Sequence, residues 1–150
     1  MPKILFVCTG NTCRSPMAEI IARDLLLPKK EGFSVSSRGI NVLVPSRASD
    51  NAVKAVRLNY SLDLSPHISK QLAEGDLEQA DMVFVMTAAH KQYLDMVYAG
   101  YATKVRLIAS NGNDSRNIDD PYGKDLFVYK QCAEEIKKSI EELISGGVIL

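Results

Sequence analysis

A cysteine and an arginine stand at the two ends of one short loop in Cys8-Thr9-Gly10-Asn11-Thr12-Cys13-Arg14-Ser15, between the apolar run Ile4 to Val7 and the helix-like stretch Pro16 to Ala22. With Cys8 ending a strand, the thiol, the turn and Arg14 share one helix N-terminus, whose unpaired N–H groups and positive dipole end bind phosphate-like anions and favour a thiolate. The segment therefore proposes a nucleophile and its anion site together. The intervening residues can curl round a tetrahedral oxyanion with each N–H inward, and Arg14 closes the ring with a planar fork of donors. Thr9, Gly10, Asn11, Thr12, Cys13, Arg14 and Ser15 are the expected phosphate-binding residues. Gly10 is expected to permit the backbone angles of the curl. Asn11 best tolerates a left-handed conformation, and its amide can brace the loop from behind. Ser15, one turn round from the thiol, can donate a hydrogen bond that stabilises the sulfur anion. Pro16 suits the first turn of a helix, where its missing N–H costs nothing.

These residues need a strand before them and a helix after them, and the periodicity supplies both. Strands are expected near Ile4 to Val7, Phe33 to Ser37, Asp81 to Met86 and Lys104 to Ile108, each followed by helical patterning. Helices are expected over Pro16 to Leu27, Ala48 to Tyr60, Thr87 to Tyr98 and Asp125 to Ser145, with a shorter turn near Ser69 to Glu74. Alternation of this kind predicts an α/β fold: a three-layer sandwich with a four-stranded parallel sheet, helices on both faces and the phosphate loop after the first strand. Ligands in such sheets bind beyond the carboxyl ends of the strands, where Cys8 lies. No repeat, low-complexity tract or linker divides the chain, so residues 1–150 are expected to form one domain.

Composition narrows the function classes. The 150 residues are 46% hydrophobic and 24% charged, and 18 basic side chains balance 18 acidic ones, which argues against general affinity for nucleic acid or an anionic membrane. The chain starts on a strand-length apolar run without a basic leader and holds no span-length apolar segment, so a cytoplasmic location is the expectation. Three cysteines without a Cys-x2-Cys pair, and only His67 and His90, argue against a disulfide framework and a zinc site. Cys132 reads as core and His90 as helix surface. Lys29-Lys30 and Lys137-Lys138 read as solvated surface.

Cys8-x5-Arg14-Ser15, extended through Pro16-Met17-Ala18-Glu19, together with the late Asp120-Pro121-Tyr122, resembles the signature of the low-molecular-weight protein tyrosine phosphatase family. The resemblance implies that Cys8 attacks phosphorus to form a cysteinyl-phosphate, that Arg14 holds the equatorial oxygens, and that Asp120 is acid and then base. It implies phosphorylated proteins or peptides as partners, inorganic phosphate as product, and no metal or other cofactor. Physical chemistry is consistent with those roles, because backbone amides and one guanidinium can stabilise a phosphoryl group in flight without magnesium. An Asp before Pro sits on a restrained extended backbone, which favours Asp120 over its neighbour Asp119 as the acid. His67, in Ser65-Pro66-His67, falls where the family carries a His that supports the loop. The resemblance also favours a reversible Cys8 to Cys13 disulfide under oxidant, and a plain packing role for Cys13 stands beside it.

Substrate choice is expected to turn on Thr12 and Tyr122. Tyrosine-specific members usually carry a branched aliphatic residue at the position of Thr12, and a threonine there resembles the protein-arginine phosphatase branch. A hydroxyl on the pocket wall gives up apolar contact with a phenyl ring but can orient water and guanidinium N–H groups, so phosphoarginine is favoured, with phosphotyrosine second. Tyr122 is expected to flank the mouth and stack on either group. In Ser37-Arg38-Gly39 the arginine departs from the family's small residue, and it points either to solvent or toward an acidic substrate. The loop Ile40 to Val44 also lacks an aromatic wall. Two other classes share part of the pattern. Thioredoxin-coupled arsenate reductases need a further cysteine pair, and Thr87-Ala88-Ala89-His90-Lys91 has none. A non-catalytic phosphate-binding module would have no need of Cys8, Arg14 and Asp120 together.

Overall fold

The computed structural model describes residues 2–27, 32–111 and 114–149. Lys29 and Lys30, read above as surface, lie outside these residues. The first strand, β1 (Lys3–Cys8), is buried from Ile4 onward on both faces, as expected of a strand central to a parallel sheet. It pairs in parallel with β2 (Ser34–Gly39) on one side and with β3 (Met82–Val85) on the other, and β3 pairs in parallel with β4 (Val105–Leu107). The order β2-β1-β3-β4 places the reversal of winding at β1, so the crevice suited to a ligand opens at its carboxyl end, beyond Cys8.

Side chains of alternate strand residues go to opposite faces and seed two cores. Ile4, Phe6, Cys8, Phe84 and Met86 pack with α1 (Arg14–Leu26), α2 (Asp50–Tyr60) and α5 (Leu126–Ser145). Leu5, Val7, Val83 and Val85 pack against Leu77 of α3 (Glu74–Gln79) and Leu94 of α4 (Ala88–Val97). The expected three-layer sandwich is therefore the observed one. At the centre of the larger core the rings of Phe6 and Phe84 stack with centroids 5.7 Å apart. The helix starts follow from capping: Ser49, Thr87 and Asp125 accept from the backbone N–H three residues on. α2 accordingly begins after Ser49, two residues later than the expected Ala48.

Three expectations need correction. Instead of a turn over Ser69 to Glu74, the chain runs extended, with bridges Arg47 to Ile68 and Gly39 to Gln71, and turns helical only from Glu74. Beyond Ile108, where the last expected strand ends, the chain contains an antiparallel ribbon of β5 (Ala109–Asn111) and β6 (Asp114–Arg116). A Gly-Asn pair between short runs is the turn signal that could have announced it. Arg38, only 18% exposed, is held inside the fold instead of by solvent or substrate: its Nε lies 3.2 Å from Asp76 Oδ2 and its Nη1 donates to the Ser37 carbonyl at 2.7 Å. Among the described residues no helix is long and apolar enough to cross a membrane.

Candidate active site

The loop between β1 and α1 is held by its carbonyls. Those of Cys8, Thr9, Thr12 and Cys13 accept from the backbone amides of Ile40, Asn41, Ser49 and Met17 at 2.9 to 3.1 Å, and that of Asn11 accepts from His67 Nε2 at 2.8 Å. With these carbonyls engaged by the surrounding chain, the loop is free to turn its amides toward a bound anion, as a backbone nest does. Asn11 alone in the loop takes the left-handed conformation, at φ 57°, as its type favours. Gly10 does not have a positive φ, and a Cβ there would meet nothing closer than Thr12 Oγ1 at 3.7 Å. The curl therefore rests on Asn11, and the conformational role expected of Gly10 is withdrawn.

The fully buried Asn11 side chain satisfies all its polar atoms. Its Oδ1 accepts from Lys70 N at 2.9 Å, and its Nδ2 donates to Ser37 Oγ at 3.0 Å and to Ser15 Oγ at 2.8 Å. Ser37 in turn donates to Glu19 Oε1 at 2.8 Å. Because Ser15 Oγ accepts from Asn11, its own proton can go to Cys8 Sγ, 2.8 Å away, with the Arg38 carbonyl as a more distant acceptor at 3.4 Å. Burial pushes the Cys8 thiol up, while the Ser15 hydroxyl, the Ser15 and Asn11 amides and the Arg14 guanidinium pull it down. On balance burial leaves the Cys8 thiol above its ordinary value, and the positive end of α1 joins those donors in favouring the thiolate against it.

Above the sulfur lies a cavity of about 220 Å³, lined by the loop together with Arg14, Asp120 and Tyr122. Arg14 is almost wholly buried and fixed by Nη1, which donates to the Ile118 carbonyl at 2.8 Å, while Nη2 lies 3.7 Å from Asp120 Oδ2. Ile118 is tied to the end of β3 through Met86 O at 2.8 Å, so the late loop is carried to the cavity by the sheet. Of the two adjacent acids, Asp120 lines the cavity; it is half exposed and accepts from Tyr122 N at 3.1 Å. Tyr122 stands exposed at the mouth. Thr12 and Cys13 also line the cavity. Cys13 Sγ lies 3.3 Å from Tyr129 Oη and 3.4 Å from Ser49 Oγ, and burial together with this contact pushes the Tyr129 phenol up to about 12. Cys132 is buried as expected, and burial lifts its thiol to about 12.

Two contributors escaped the sequence reading. A Cβ on Gly39 would lie 2.7 Å from Thr9 O and 2.6 Å from Val42 Cγ2, so a glycine is required where β2 passes behind the loop. A glycine ending a strand is a general sign of such close approach. His90, expected on the helix surface, is only 5% exposed, and its Nε2 lies 2.9 Å from Thr9 Oγ1. Its position four residues before the buried Leu94 is the periodic signal that could have placed it inward.

Residues 3–146 match the family described as low molecular weight phosphotyrosine protein phosphatase. The chain is 35% identical over 143 residues to a protein-arginine-phosphatase of Bacillus subtilis (strain 168), covering 93% of each chain. A solved low molecular weight protein tyrosine phosphatase from T. tengcongensis is 39% identical and superposes with a TM-score of 0.91 over 97% of this chain and 99% of that one. A cysteine-to-serine mutant of the YwlE arginine phosphatase, solved with a phosphorylated active site serine, is 32% identical with a TM-score of 0.89 over 96% of this chain and 94% of that one.

Proposed function

Because this chain belongs to the low molecular weight phosphotyrosine protein phosphatase family, we propose that it hydrolyses phosphorylated protein side chains through a cysteinyl-phosphate, favouring phosphoarginine over phosphotyrosine. The observation that carries the reading is the Ser15 hydroxyl 2.8 Å from Cys8 Sγ, on the floor of a cavity that also presents Arg14 and Asp120. In the first step the Cys8 thiolate attacks phosphorus as the bond to the side-chain nitrogen or oxygen breaks. Asp120 gives that leaving atom its proton, and Arg14 with the loop amides takes the charge of the equatorial oxygens. In the second, water attacks phosphorus, Asp120 receives a proton, the P–S bond breaks, and inorganic phosphate leaves with the thiolate restored. Cys13 serves as a reversible disulfide partner for Cys8 under oxidant. One domain, residues 1–150, carries the reaction in the cytoplasm.

The preference for phosphoarginine is supported by Thr12 on the cavity wall and by the Bacillus subtilis relative's name. The hydroxyl suits guanidinium N–H groups better than a phenyl face. The deciding experiment is phosphate release from matched phosphoarginine and phosphotyrosine peptides, under reducing, metal-free conditions, by the wild type and Thr12→Ile. Preference for phosphoarginine, shifting toward phosphotyrosine in Thr12→Ile by about 10-fold, is the expected result. Preference for phosphotyrosine in the wild type overturns the substrate assignment and leaves the mechanism standing.

A further inference from the structure

His90 is a buried imidazole with one satisfied nitrogen. Nε2 lies 2.9 Å from the hydroxyl of Thr9, the residue after the proposed nucleophile, while Nδ1 is buried with no hydrogen-bond partner among the described residues. The ring occupies the first turn of α4, where its backbone N–H donates to the capping Thr87 Oγ1 at 3.1 Å. Burial is the main influence holding the ring neutral, with Arg14 acting in the same direction and Asp120 against it, and its pKa falls to about 4. A neutral ring carries one N–H, and its placement decides what Thr9 can do.

With the proton on Nδ1, a buried donor would be left unpaired, and orphaned N–H groups are rarer than orphaned acceptors. With the proton on Nε2, the ring donates to Thr9 Oγ1 and leaves only a lone pair unpaired. That second tautomer occupies the accepting side of the Thr9 hydroxyl, whose own proton must then go elsewhere. Thr9 is exposed and lines the cavity above Cys8. We propose that His90 is a positioning residue which turns the Thr9 hydroxyl into a fixed donor to the phosphoryl group bound in the loop. This rests on the phosphate-binding reading of the cavity but not on its chemistry. It adds to the loop a side-chain donor whose orientation is set from the far face of the sheet.

The test measures the affinity of inorganic phosphate by calorimetry, and kcat and KM for an aryl phosphate, in Thr9→Val, His90→Ala, His90→Gln and the Thr9→Val/His90→Ala double variant. Thr9→Val and His90→Ala are each expected to weaken phosphate binding by about 10-fold, and the double variant no more than Thr9→Val alone, because the two side chains act as one unit. His90→Gln, whose amide can donate from near the Nε2 position, is expected to recover most of the affinity. Additive losses in the double variant, or phosphate affinity within about twofold of wild type in His90→Ala despite a lowered Tm, would make His90 merely structural and overturn the proposal. If His90→Ala does not fold, His90→Gln decides: wild-type-like affinity upholds the proposal, and affinity as low as in Thr9→Val overturns it. Phosphate binding with no aryl phosphate turnover in the wild type would sink the enzymatic reading while leaving this one intact.

Discussion

The proposed nucleophile depends on a chain of donors in which each hydrogen bond fixes the next. Asn11 donates to Ser15, whose proton then goes to Cys8 in preference to the more distant Arg38 carbonyl, and no member can be removed without freeing another. Asn11→Ala would strand Lys70 N and loosen Ser15 and Ser37 together, and is expected to cost about 1–3 kcal/mol of stability by chemical denaturation along with most of the activity. Cys8→Ser should still bind phosphate and lose turnover by about 10⁴-fold or more; residual hydrolysis near the wild-type rate would rule out a cysteinyl-phosphate. Asp120→Asn is expected to lower kcat by about 10²–10⁴-fold, with the larger loss on substrates whose leaving group is more basic. His90 makes a pH prediction whose sign is fixed by its depressed pKa of about 4. Between its ordinary value of about 6.5 and that figure, the unfolded chain binds a proton that the folded one refuses. Stability should therefore fall as pH drops through that window, and the slope of Tm against pH should be shallower in His90→Gln.

At the scale of elements, the loop is shaped by its neighbours as much as by its own sequence. β2 brings Gly39 against Thr9 O, and the extended segment after His67 supplies Lys70 N to Asn11. Gly39→Ala would drive a methyl group into a backbone carbonyl, which cannot swing aside as a side chain could. It is expected to weaken phosphate binding by at least about 10-fold and to destabilise by about 1–3 kcal/mol, measured by calorimetry and thermal unfolding. A wild-type affinity in that variant would mean that the loop tolerates displacement. The late loop depends in the same way on Ile118, which bonds to Met86 O beyond β3 and accepts from Arg14, so Asp120 is positioned by the sheet.

Across the whole molecule, the parallel sheet sets the site's rigidity through two cores on its opposite faces. Phe6 and Phe84, neighbours on adjacent strands, are both fully buried in the larger one. Phe84→Ala should cost about 3–5 kcal/mol in denaturant unfolding, the usual range for emptying a buried aromatic site. The polar strand β2 lies at the sheet's edge, where half-buried serines are tolerated, whereas the apolar β1 and β3 take the interior. That order follows from burial, and it is what puts Cys8 in the central crevice.

Much of this was legible in the chain, because it depends on neighbours in sequence. The strand, loop and helix around Cys8, the left-handed Asn11, the Ser15 contact with sulfur and the alternation of strands and helices all follow from local pattern and residue type. Other features depend on residues far apart in the sequence, and only the packed structure decided them. Asp120 meets Arg14 across the sheet's carboxyl edge, Gly39 is forced by a carbonyl from another strand, and Arg38 is claimed by Asp76. His90 is drawn inward to Thr9 because α4 lies against the sheet face behind the loop. Local sequence fixes which groups can do the chemistry, but the distances between them are set by tertiary contacts, since burial and hydrogen-bond satisfaction are properties of the assembled fold.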